Sequence, residues 1–199
     1  MPLSAEWKKA YFAATPAGSW ARYSDTTPQS KMTTTMTRLA DGEDGGAGVE
    51  LLIEFGDNQY PPVHNRYTLP KEFPLDRKLI DFMSGINGGS LVAGEGEPME
   101  LDAATVEALV KNSASYEATA KFKKTETIDG RKADRYGYTI RWESPSEAVP
   151  STTESGDLWL SADVPFGVVK QTSVTKDDAG NVTMQYERVL VGSGTKKTD

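Results

Sequence analysis

Few side chains in this chain are of a kind that can do chemistry. His64 is the single histidine, and it sits beside Pro61-Pro62 in a segment that reads as a loop. A metal centre normally draws several ligands, and no partner stands at ligand spacing from His64. It therefore reads as a locally bonded loop residue. A serine triad would also have to recruit His64, yet no G-x-S-x-G elbow is present to raise a serine. Ser173-Val174-Thr175-Lys176 matches the string S-x-x-K, whose chemistry needs both side chains adjacent on a helical turn. Here the string falls in an expected strand, where the two side chains point to opposite faces. No catalytic residue is assigned.

Acidic clusters are no more specific. Asp41 to Asp44 and Asp177-Asp178 would attract calcium, but neither has the ligand spacing of a calcium loop, so no metal site is assigned. The glycines between Gly85 and Gly96 form neither a G-x-G-x-x-G turn nor a Walker loop, and no cofactor is implied. Asn181-Val182-Thr183 is a glycosylation sequon, relevant only in a eukaryotic secretory pathway. The chain has no cysteine, which excludes disulfides, thiolate metal sites and a cysteine nucleophile. Carboxylates are plentiful, so a hydrolase working with paired acids stays open as a reading.

Charge narrows the partners. Twenty-nine acidic residues against 22 basic ones leave a net charge of −7, which repels nucleic-acid phosphates and anionic headgroups. The basic pieces, Lys121, Lys123 and Lys124 and then Lys196 and Lys197, are too short to offset it and read as solvated charges. Nucleic acid is not expected as a partner. No apolar run approaches the roughly 20 residues of a membrane span, and no signal peptide precedes the first expected helix. Membrane association would then need an N-terminal anchor lying before Met1, and Met1-Pro2-Leu3 reads as an engineered start.

The elements that must position these residues are mostly strands. At 199 residues the chain is long enough for one domain with a real core, and no linker-like shift in composition divides it. A short amphipathic helix is expected first, capped by Ser4, with Leu3, Trp7, Ala10, Tyr11 and Ala14 on one stripe. Strands follow at 19–25, 31–39 and 48–55. In the last of these Val49, Leu51, Ile53 and Phe55 share a face opposite Glu50 and Glu54. Residues 58–70, with three prolines, read as an irregular connection or a short edge strand.

Leu75, Leu79, Phe82, Met83 and Ile86 then recur at helical spacing, and Asp102 is placed to cap a further short helix carrying Val106, Leu109 and Val110. From 117 onward strands return. Asp129-Gly130 and Asp177 to Asn181 are hairpin turns, and Ser144 to Ser155 reads as a polar loop. The expected architecture is α+β: a curved, largely antiparallel sheet, an open or half barrel, wrapping two or three helices. One domain covers 1–199.

The second half carries a family resemblance. Thr125 to Lys132, followed by Tyr136 and Tyr138, forms one hairpin; Gly156 to Ser161 and Val164 to Lys170 form the next two strands, turning through Pro165. This arrangement, over residues 120–191, resembles the LolA/LolB-like lipoprotein-carrier superfamily of exported bacterial envelope proteins. The resemblance implies an open barrel around helices with a cavity for acyl chains. It also implies a mature domain that is periplasmic, outer-membrane-anchored or extracellular. It carries over no catalytic residues.

The residues themselves allow a similar reading. Met32, Met36, Leu51, Ile53, Phe55, Phe82 and Met83 are candidates to line an adaptable apolar site, because methionine accommodates varied ligands. The competing account is that they fill the core. Three function classes follow: a non-catalytic carrier of a lipid or lipoprotein acyl chain, a structural or interaction module of an exported assembly, and a hydrolase with paired carboxylates.

Overall fold

The computed structural model describes residues 15–42, 45–56, 60–69, 99–105, 115–143 and 150–195. They form ten strands: β1 (Ser19–Thr26), β2 (Lys31–Arg38), β3 (Ala47–Phe55), β4 (Val63–Leu69), β5 (Met99–Leu101), β6 (Ser115–Ile128), β7 (Arg131–Glu143), β8 (Thr152–Leu160), β9 (Val168–Asp177) and β10 (Val182–Thr195). All ten belong to one sheet, in the order β5-β4-β3-β2-β1-β10-β9-β8-β7-β6. Two meanders are thus zipped along β1 and β10, which pair antiparallel from Ser19↔Thr195 to Thr26↔Glu187. Only the β4–β5 pair is parallel.

The expected α+β class is therefore corrected to an all-β one. Among the described residues, helical backbone is confined to 103–105. The start of that turn is as expected: the Thr105 amide donates to Asp102 Oδ1 at 2.8 Å. The remainder of that helix at 106–110, and the helices expected at 3–14 and 75–86, lie outside the described residues apart from the capping turn. The sheet is larger than expected because two polar segments join it. The prolines at 61 and 62 precede the β4 ladder rather than interrupt it, so Val63–Leu69 can pair with β3. Thr152 to Ser155, expected as loop, extend β8 and pair with both neighbours.

Strand alternation sorts the residues onto two faces. Ala21, Tyr23, Val49, Leu51, Tyr67, Tyr138, Ile140, Leu158, Val169 and Leu190 are buried on the inner face. The outer face carries arginine, lysine and glutamate. Residues 102–114 must carry the chain from β5 at one edge to β6 at the other. Register shifts at Arg22/Tyr23, Phe122/Lys124, Trp159/Leu160 and Val182/Met184 increase the local twist of the strands.

The turns are chemically determined. Asp129 and Gly130 both take positive φ, 48° and 78°, the two-residue hairpin geometry that this dipeptide favours. Between β8 and β9, Phe166 also has positive φ, 61°, and its side chain is fully buried. Its amide donates to Thr15 Oγ1 at 3.1 Å, and the Gly167 amide donates to the Val164 carbonyl at 2.9 Å. An aromatic ring is thus held in the core in a backbone conformation that bulky residues rarely adopt.

Candidate functional site

Five of the seven candidate ligand-binding residues converge. The β2–β3 register places Met32 opposite Phe55, Thr34 opposite Ile53 and Met36 opposite Leu51. Since side chains alternate, Met32, Met36, Leu51, Ile53 and Phe55 share the inner face. Met36, Leu51 and Ile53 are buried, while Met32 and Phe55 are partly buried against the same core. The patch continues onto β4 through Val63, paired with Ile53, and Tyr67, paired with Val49. Phe82 and Met83 lie outside the described residues.

A charged centre borders this patch. Arg188 in β10 donates from Nε to Asp25 Oδ1 at 2.7 Å and from its terminal nitrogen to Oδ2 at 2.9 Å. Thr34 donates to Oδ2 at 2.5 Å and the Tyr186 hydroxyl to Oδ1 at 2.9 Å. Both ions are buried, and the guanidinium lies 4.9 Å from the Tyr23 ring centre. Burial alone would push the Asp25 carboxyl up. The Arg188 charge and the four hydrogen bonds outweigh it and hold the pKa below the ordinary carboxylate value. A second polar cluster crosses β7, β8 and β9. Tyr138 donates to Glu154 at 2.5 Å and accepts from Gln171 at 2.9 Å.

Among the described residues, two inner-face atoms are buried without a hydrogen-bond partner: the Tyr23 hydroxyl and Asn65 Oδ1. Asn65 uses its amide nitrogen to donate to the Tyr67 hydroxyl at 2.8 Å, which leaves its carbonyl free. Burial raises the Tyr23 pKa, so the phenol stays protonated and is a donor. The Tyr67 phenol is likewise pushed up, to about 12, by burial. A donor and an acceptor are therefore present on the inner face beside the apolar patch of β2, β3 and β4.

The outer face has a different character. His64, expected in a loop, is in β4, where its Nε2 lies 3.1 Å from Glu50 Oε1. Arg66 donates to the same oxygen at 2.9 Å and reaches Glu100 at 3.2 Å. Burial works against the Glu50 carboxylate, but the hydrogen bonds from Arg66 and His64 keep its pKa below the usual range. On the other meander Trp159 donates to Glu126 at 2.6 Å beneath Arg135, whose guanidinium is 4.9 Å from the ring centre. Asp157 accepts from Arg135 and from Lys123, each at 2.6 Å. Beside them, an open depression of about 540 Å³ lies over β6, β7 and β8, lined by Lys121, Lys123, Gly137 and Asp157.

The remaining sequence candidates are held in structural roles. Ser173 is buried and Lys176 is exposed on β9. Asp177 accepts from the Asn181 amide at 2.8 Å and from its side-chain nitrogen at 2.9 Å, closing the last hairpin. Asp41 is engaged by Arg38. Among the described residues no three histidine or carboxylate side chains group as metal ligands.

No protein-family model matches this chain, and no curated protein matches it. Solved structures do align with it. One is a presumptive exported protein with a YmcC-like fold from Bacteroides fragilis, at 10% identity and TM-score 0.48, covering 94% of this chain and 100% of that one. A second is MucB, at 14% identity and TM-score 0.47, covering 98% of this chain and 60% of MucB. A third is the MucA/MucB complex of Pseudomonas aeruginosa, at 13% identity and TM-score 0.46. This chain spans about three fifths of MucB.

Sequence reasoning missed the charged centre and the two unpartnered atoms. A signal for the former was present. Asp25 is in phase with Ala21 and Tyr23, and Arg188 is in phase with Tyr186 and Leu190. An acid and a base, each on the apolar register of its own strand, are expected to find one another when those strands pair.

Proposed function

We propose that the protein is a non-catalytic binding module whose inner face takes an amphipathic molecule with an acyl or similarly apolar chain. The observation that carries this reading is the register of β2 and β3. It gathers Met32, Met36, Leu51, Ile53 and Phe55 on one face, where two methionines leave the surface adaptable. The unpartnered Tyr23 hydroxyl and Asn65 carbonyl favour a ligand with a polar group over a plain hydrocarbon. The non-catalytic part rests on how the ionisable groups are used. Asp25 is spent on Arg188, and Glu50 on Arg66 and His64. On this reading the compartment is the bacterial envelope, as the LolA/LolB-like resemblance implies, and the natural cargo is a lipid or lipoprotein acyl chain.

The test is native mass spectrometry and lipid extraction of protein purified from a bacterial host, with titration of a fluorescent fatty-acid probe. Co-purifying acyl species, and probe binding weakened by Met32→Glu, are the expected results. A clean apo mass with no probe response removes this reading.

A further inference from the structure

We propose that the free edge of β6 is a docking strand for an extended, acidic segment of another protein. This goes beyond the inner-face reading and does not depend on it. The sheet has two edges of very different kinds. β5 has three residues, whereas β6 has fourteen and, among the described residues, pairs only with β7. Residues 121–125 of β6 are exposed in succession, on both faces, so that stretch of the edge is open. An exposed edge presents unpaired amide and carbonyl groups, the template for adding another strand.

The side chains specify which strand fits. Lys121 is exposed and has no ion-pair partner among the described residues, while Lys123 and Lys124 are engaged by Asp157 and Glu126. All three lie on the outer face, where Lys121 and Lys123 line the depression over Gly137. In a chain of net charge −7, Lys121 is thus an exposed cation that no carboxylate among the described residues neutralises. Phe122 points to the inner face, half exposed, with its ring edge-on to Tyr136 at 5.8 Å. A segment paired with β6 would therefore place an acidic side chain opposite Lys121 and an apolar one beside Phe122, with the register shift at Phe122/Lys124 setting where the alternation breaks. A second copy of this chain is the poorer occupant. Antiparallel self-pairing centred on Phe122 sets Lys121 against Lys123, and like charges directly opposite are unfavourable.

The probe is a synthetic extended peptide of alternating glutamate and valine, added to the isotope-labelled full chain and followed by amide NMR and calorimetry. Shifts and new amide protection should concentrate in residues 119–127. Lys121→Glu, at an exposed position, should keep the fold and weaken affinity about tenfold. Binding should also fall as salt rises to about 0.5 M. Any of four results overturns the proposal: no shifts at low salt, equal affinity for a lysine–valine peptide, undiminished binding by Lys121→Glu, or protection in the peptide-free chain of those β6 amides that point away from β7. A dimer pairing through β6 in the absence of peptide would produce the last of these and would replace the acidic segment with a second copy.

Discussion

Asp25 and Arg188, 163 positions apart in sequence, face each other in register across the β1–β10 seam and share two hydrogen bonds of 2.7 and 2.9 Å. That seam joins the two meanders of the sheet. A buried ion pair adds little over a well-packed apolar pair, but removing one partner strands the other charge. Its main consequence is register: sliding β1 by one residue would send Asp25 to the outer face and leave Arg188 alone inside.

The pair should therefore behave asymmetrically under mutation. Asp25→Ala or Arg188→Ala should each cost about 3–5 kcal/mol in urea unfolding. The double replacement Asp25→Leu with Arg188→Met should recover much of that loss. Equal losses for the double and single variants would show that the pair is not a coupled unit.

The same pair makes stability depend on pH, and the sign follows from Asp25. Its carboxyl has a lower pKa in the folded chain than in the unfolded one, near 3.9. The unfolded state thus binds the proton more readily. The contribution is complete above the unfolded value and is lost as pH falls through the folded one. Denaturant midpoints should drop below about pH 4, and Asp25→Asn should reduce the part of that drop that comes from this site. An unchanged profile in the variant would locate the acid sensitivity elsewhere.

Phe166 should reverse an ordinary ranking. Its ring is fully buried, so Phe166→Ala should cost about 3–5 kcal/mol. With φ at 61°, however, alanine keeps the backbone penalty that glycine avoids. Phe166→Gly should be no less stable than Phe166→Ala, whereas glycine is usually the worse replacement. Thermal melts of the two variants decide the point.

Two glycines should respond very differently to a methyl group. A Cβ on Gly156 would stand 1.9 Å from the Thr172 carbonyl oxygen, so neighbouring backbone must move. A Cβ on Gly130 meets nothing, and only its positive φ opposes substitution. Gly130→Ala should cost about 1–2 kcal/mol, while Gly156→Ala should exceed that clearly or prevent folding. Comparable losses would mean that β8 and β9 separate easily at this point.

Much of the sheet was legible in the residues alone. The alternation of Val49, Leu51, Ile53 and Phe55 marks β3, and Asp129-Gly130 and Asp177 to Asn181 mark their hairpins, because side-chain period and turn chemistry are local properties. The shared face of Met36, Leu51 and Ile53 also follows once β2 and β3 are paired. The fold class was not legible, because Val63–Leu69 and Thr152 to Ser155 are polar segments whose strand state is set by pairing with their neighbours rather than by local pattern. What only the tertiary structure decided is which strands meet. The pairing of β1 with β10 brings Asp25 to Arg188, and the order of the sheet leaves β6 rather than β10 at an edge. Both depend on contacts between residues more than a hundred positions apart, where local propensity carries no information and the burial of the whole inner face selects the arrangement.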